Sequence, residues 1–258
     1  MKSIVSLTGL NVSFKRYKII MSEAPIIKTE NVLLEQLLNE ISCGELRVPK
    51  FHGSYLWKHM DMLTLFDSIY KGYPIGNLLL WTSLEPIESF VKVGLLSIPQ
   101  TQKRRIAYII EGYHRLLTLF VSLFQFPNAV FESQQEAWRW WIGFDLNEQI
   151  FVHVPNSDPE AHLLPLRAVL RTVDFLDATR KIQQKSPETA SALIKKAELF
   201  SQKIKLYKVI ITRIRGGTFN QVIEMVSRLN KPGQNFALLQ NQSKSGNPCK
   251  PVEIIKNQ

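Results

Sequence analysis

The 258-residue chain has few cysteines, a shortage of acid and no long apolar run. Its two cysteines, Cys43 and Cys249, lie far apart without metal-ligand neighbours, which excludes a disulfide framework and a cysteine zinc site. They read as free intracellular thiols, which fits a cytoplasmic protein. The five histidines, His52, His59, His114, His153 and His162, show no zinc-like spacing. The longest apolar stretch, residues 116–126, is too short and too interrupted to span a bilayer, so no membrane association is expected. Residues 1–20 place Lys15, Arg16 and Lys18 after the apolar part, the reverse of a secretory signal. No internal repeat is present.

The acid shortage is uneven. The chain holds 32 Lys and Arg against 22 Asp and Glu, a net charge of +10. From Phe151 onward there are 17 basic and 8 acidic residues, so nine of the ten excess charges lie in that part. A basic half suggests nucleic acid, with Lys195, Lys196, Lys203, Arg213 and Arg215 as candidate DNA contacts. The competing reading is a solvated, lysine-rich helix surface. At 45% hydrophobic and 21% charged the composition is globular, with length for one large or two small domains.

Periodicity predicts a helix over 31–41, with Leu33, Leu34, Leu37, Leu38 and Ile41 on one stripe. It predicts a second over 60–70, with Met60, Leu63, Phe66 and Ile69 facing inward, ended by Gly72-Tyr73-Pro74. Strands are expected at 46–49, 77–82 and 206–214, and a hairpin over 138–147 and 149–154. Residues 90–97 read equally as a strand or an excursion. Helices are expected over 162–170, 173–184, 187–204 and 219–229. Strands and helices mix without strict alternation, which argues an α+β fold. Residues 1–20 read as a disordered extension, 21–160 as an α+β domain, 161–240 as a basic helical portion completing it, and 241–258 as a disordered tail.

One segment concentrates the chemistry. An apolar run at 106–110 stops at Glu111 and Gly112, and Tyr113, His114 and Arg115 follow at once. Leu116, Leu119, Phe120 and Leu123 then recur at helical spacing. A strand, a glycine turn and a helix N-terminus beside cations form an anion-binding geometry, in which Arg115 can grip phosphate bidentately. Arg115 can also close the turn as a salt bridge to Glu111. Glu111 is placed to hold a metal, to orient a water or to cap the helix. His114 reads as a proton carrier or a polar plug. Tyr55 and Trp57 read as stacking partners for a base or as anchors of their loop.

Glu111-Gly112-Tyr113-His114-Arg115-Leu116-Leu117-Thr118-Leu119 resembles the Asp-Gly-Gln-Gln-Arg-Leu-Thr-Thr-Leu segment of the GmrS-like N-terminal domain of modification-dependent restriction systems. Upstream, Val48-Pro49-Lys50-Phe51-His52-Gly53-Ser54-Tyr55-Leu56-Trp57 is similar to that family's Ile-Pro-x-Phe-Gln-Arg-x-Tyr-x-Trp. Gly72-Tyr73-Pro74-Ile75-Gly76 follows in the expected order, as does Met225-Val-Ser-Arg-Leu-Asn-Lys-Pro-Gly233. The resemblance covers roughly residues 29–236. It implies a ParB/sulfiredoxin-like nuclease/NTPase fold. It also implies a site in which Gly112, Tyr113, Arg115, His52 and Tyr55 bind a nucleotide, NTP with Mg2+, and Glu111, His114 and Arg115 act on it, with Glu111 as metal ligand. Partners implied are DNA, including modified DNA, and a nuclease. The departures are specific. His52-Gly53 stands for Gln-Arg, Glu111 for Asp, and Tyr113-His114 for two glutamines. Sulfiredoxins share Gly-x-His-Arg, but Tyr113 occupies the place of their reactive cysteine, which excludes that chemistry. The expectation is a nucleotide- and DNA-binding module of an anti-phage restriction system with weak NTPase activity. The alternatives are a catalytically inactive interaction subunit working with a separate nuclease chain and a metal-dependent endonuclease.

Overall fold

The computed structural model describes residues 24–93, 96–103, 105–124, 139–154 and 158–229. The expected N-terminal extension and tail, with Asn230 and Cys249, lie outside these residues. The described part is α+β. A five-stranded sheet runs in the order β1 (Ile26–Leu33), β10 (Lys208–Arg215), β3 (Leu78–Ser83), β6 (Ile106–Glu111) and β2 (Leu46–Arg47). β1–β10 and β3–β6 are antiparallel, whereas β10–β3 and β2–β6 are parallel. A second sheet has the order β8 (Ile150–His153), β7 (Ile142–Asp145) and β9 (Leu163–Pro165). β4 (Lys92–Val93) and β5 (Leu96–Ser97) form a small antiparallel pair.

β3 and β6 are apolar at nearly every position because both of their faces are covered. Side chains alternate between the faces. Leu78, Leu80, Ala107 and Ile109 join the main core with α1 (Leu34–Ser42), α2 (His59–Tyr70) and α3 (Tyr113–Phe124). Leu79, Trp81, Tyr108 and Ile110 face the other way, against Val222 and Val226 of α6 (Phe219–Leu229). Burying one such large side chain contributes on the order of 1.5–3 kcal/mol. Trp81 and Tyr108 also keep their polar atoms satisfied. Trp81 Nε1 donates to Gly216 O at 2.9 Å, and Tyr108 Oη accepts from Ile87 N at 3.0 Å. The other helices among the described residues are α4 (Thr172–Lys185) and α5 (Ala190–Leu206). Leu193, Ala197, Phe200 and Ile204 of α5 reach the main core. β10 lies between β1 and β3, so the C-terminal portion completes the central sheet.

Three expectations change. Residues 31–33 extend β1, and the helix begins only at Leu34. Leu34 N donates to Tyr207 O at 2.9 Å, so the strand ladder continues into the helix's first residue. The segment expected as a helix over 162–170 is β9 followed by a 3-10 turn at Leu166–Ala168. Met60 points outward at 69% exposure, and Met62 and Leu65 take the buried positions on α2.

Candidate functional site: the turn between β6 and α3

Gly112 links β6 to α3 with φ +91°. A Cβ there would stand 2.1 Å from Leu78 Cδ2, so the position excludes a side chain on both conformational and steric grounds. The next three residues open α3 and are separated by about 100° around its axis. Tyr113 and His114 meet the 51–57 segment, and Arg115 meets the loop at 75–77.

Aromatic rings connect the first two to the 51–57 segment. Phe51 and His52 lie 4.6 Å apart, and His52 stacks on Tyr113 at 4.8 Å with planes 9° apart. Tyr113 meets His114 at 4.8 Å, and His114 meets Tyr55 at 5.4 Å and Trp57 at 6.1 Å. Tyr55 in turn touches Trp140 at 5.0 Å, with the Arg139 guanidinium 5.8 Å above its ring. His52 Nε2 lies 2.7 Å from Ile109 O, so the neutral ring donates its proton there. Burial pushes His52 down to about 4, against the opposing effect of that bond. His52 is therefore neutral at physiological pH and supplies no cation for phosphate. Burial also lowers His114, with Glu111 opposing, and pushes Tyr55 and Tyr113 up to about 12. Thr118 Oγ1 donates to His114 O at 2.7 Å, so the Tyr55 hydroxyl donates to Thr118 at 2.6 Å. His114 Nε2 is buried with no hydrogen-bond partner.

Arg115 takes a different path. Its Nη1 donates to Ile75 O at 2.5 Å and its Nη2 to Asn77 O at 3.1 Å. Nη2 also lies 3.5 Å from Glu111 Oε1. The guanidinium passes between two glycines. A Cβ on Gly76 would meet Nη1 at 2.2 Å, and one on Gly112 would meet Nη2 at 3.1 Å. Arg115 thus fastens the 75–77 loop to the start of α3. Two of its five N–H donors are committed to backbone. The Glu111 ion pair, expected as one reading of the sequence, is present beside these bonds.

Glu111 is the only carboxylate of the 111–115 segment and already sits beside a guanidinium. Among the described residues no three His, Cys, Asp or Glu side chains come together as a metal site. Magnesium usually keeps several waters and takes one or two carboxylates beside substrate phosphates, and Glu111 is the one carboxylate that the 111–115 segment offers. The first backbone N–H groups of α3 have no partner within the helix and face the turn, which leaves anion binding to the backbone.

The candidate DNA residues are spread. Lys195 is exposed and Lys196 half-buried on α5, and Lys203 Nζ lies 4.0 Å over the Tyr70 ring. Arg215 is exposed at the end of β10. Arg213 is held inside the fold, with Nε 2.8 Å from Glu30 and Nη2 2.6 Å from Glu40. Both acids compensate its charge. Arg171, Arg180, Lys181, Lys185 and Arg228 also face acids.

Two arrangements carried no signal in the sequence. His59 Nδ1 and His153 Nε2 meet at 3.3 Å across 94 residues. A cleft of about 170 Å³ lies between β9 and α4, with Arg167 and Asp174 in its wall.

The family model described as GmrSD restriction endonuclease, N-terminal domain, matches residues 34–258. No curated protein matches the chain.

Proposed function

Because the chain belongs to the family of GmrSD restriction endonuclease N-terminal domains, a component of restriction systems, we propose that it is a binding module that does not hydrolyse nucleotide. The observation that carries this reading is the commitment of four of the motif's polar side chains to the fold, although His114 Nε2 keeps no partner. Arg115 holds Ile75 O and Asn77 O, Glu111 faces Arg115, His52 holds Ile109 O and Tyr55 holds Thr118. Hydrolysis needs a base aimed at an attacking water and charge stabilisation on the leaving group. Anion binding needs only N–H donors and positive charge, and the start of α3 offers both. The fold is read as ParB/sulfiredoxin-like on the strand–glycine–helix order of the motif. DNA is engaged by Lys195, Lys196 and Arg215, in a cytoplasmic anti-phage setting. Cutting falls to a nuclease domain or chain outside the described residues.

Calorimetry with ATP and GTP, beside a phosphate-release assay, tests the first half. Binding without turnover is expected, with Mg2+ changing affinity little. Fast turnover refutes it. The absence of binding favours the second reading, an interaction subunit, for which the backbone bonds of Arg115 also argue. DNA binding is tested by titrating a labelled duplex over a range of salt. Affinity is expected to fall steeply as salt rises, and Lys195→Ala is expected to reduce the logarithmic salt slope by about 1. A flat salt response removes DNA from the proposal.

A further inference from the structure

We propose that two copies of this chain pair through β1, in one register, to continue the central sheet across a two-fold axis. Among the described residues β1 is an edge of the sheet, and it runs for eight residues against β10 without a bulge or a proline. Edges of this length are ordinarily blunted by proline, bulges, short strands or charged side chains, and here only the charges Lys28 and Glu30 are present. Here Ile26 is 64% exposed and Ile27 58%.

The ladder fixes which backbone groups are free. Leu34 N donates to Tyr207 O, and these two continue the β1–β10 register, in which Leu33 faces Lys208. In an antiparallel ladder, residues that exchange both bonds with the neighbour alternate with residues that exchange none. The even residues Ile26, Lys28, Glu30 and Val32 therefore bond to β10. The odd residues Ile27, Thr29, Asn31 and Leu33 turn their N–H and C=O groups to the outside.

A second copy pairing antiparallel must bring odd residues opposite odd residues. Four central registers allow this, with the axis at Lys28, Thr29, Glu30 or Asn31. The first places Lys28 against Lys28, the third places Glu30 against Glu30, and the fourth places Glu30 against Val32, which gains no charge pair. The register centred on Thr29 places Lys28 against Glu30 of the second copy, twice, and Ile26 against Val32. Charges therefore select it, since opposite charges across a strand pair attract and like charges repel. These are closely spaced, non-hydrogen-bonded pairs, the kind whose side chains approach most nearly. Lys28 already reaches Glu30 of its own strand at 2.6 Å, and its side chain is 69% exposed, so it is free to cross. The arrangement is self-complementary, as a two-fold interface requires.

Sedimentation of the full chain over a wide concentration range tests the proposal. The wild type is expected to reach a dimer. Lys28→Glu places like charges opposite each other twice and is expected to shift the equilibrium to monomer. The double variant K28E/E30K restores attraction in the same register and is expected to recover the dimer. Glu30 also supports Arg213, so a second variant guards against loss of the fold. Thr29→Pro removes an outward N–H that β10 does not use, and is expected to give a folded monomer. Hydrogen exchange should show the amides of residues 27 and 31 slow in the wild type and fast in T29P. A wild type that stays monomeric at the highest concentration overturns the proposal. So does a dimer indifferent to both K28E and T29P. A monomer with slow odd-numbered amides also overturns it, and assigns the edge to another segment of the same chain.

Discussion

Replacing Gly76 by alanine is the sharpest test of the arginine clasp. Gly76 has φ +84°, where a Cβ costs on the order of 1–2 kcal/mol. The added methyl would also stand 2.2 Å from Arg115 Nη1 and 3.3 Å from Cζ, so the guanidinium must leave. Its side chain is only 19% exposed, and its bond to Ile75 O is charge-assisted. Losing such a bond costs about 1.5–3 kcal/mol. Together these give a destabilisation of about 2.5–5 kcal/mol for Gly76→Ala. In an Arg115→Ala background the obstacle is gone, and only the backbone cost of about 1–2 kcal/mol should remain. The two substitutions should therefore couple by about 2 kcal/mol, well above the scatter of independent sites. Urea unfolding followed by far-UV circular dichroism on the wild type, both single variants and the double variant measures this. If Gly76→Ala costs the same with and without Arg115, the clasp is not what holds the loop.

Two further outcomes follow from the ring row. His52 titrates lower in the fold than in the unfolded chain, so between about 6.5 and 4 the unfolded chain binds a proton that the fold refuses. Stability is full above the upper value and falls with pH through that window, by about 3 kcal/mol at its acid end. His52→Gln should flatten most of that slope in urea melts at stepped pH, leaving the part due to His114, which burial lowers in the same direction. An unchanged slope would locate the acid sensitivity elsewhere. Tyr55→Phe keeps the ring contacts and removes the bond to Thr118, so it should cost about 1 kcal/mol in thermal melts. A cost near that of deleting a whole core ring would mean the hydroxyl supports more than Thr118.

The sequence was most legible where apolar residues are dense. β3, β6, α3 and α6 stand close to their expected spans because burial on one or both faces writes a regular pattern into them. β1 was missed because it is an edge strand whose middle, Lys28-Thr29-Glu30-Asn31, is polar. The leucines that follow then drew the helix forward by three residues. The 163–168 segment was misread for the opposite reason. Its apolar residues suit a helix, and the pairing of Leu164 with Phe144, which makes it a strand, is remote in sequence. At the candidate site, the turn, Gly112 and the Glu111–Arg115 pair were legible because they are local. The main anchors of Arg115 were not, since Ile75 O and Asn77 O are carbonyls that every residue carries. The ion pairs of Arg213 were not legible, because Glu30 and Glu40 lie near the other end of the described chain.

The slot that Gly76 and Gly112 leave for Arg115 has an evolutionary consequence. A side chain on Gly76 displaces the arginine, and one on Gly112 meets Leu78 and crowds the guanidinium. The three positions sit on separate segments yet should be inherited as one unit, with single replacements selected against. Once the arginine is lost, the steric constraint on Gly76 disappears. Gly112 stays constrained by Leu78 and by its positive φ. Divergence at this turn should therefore start at residue 115 and reach residue 76 before residue 112.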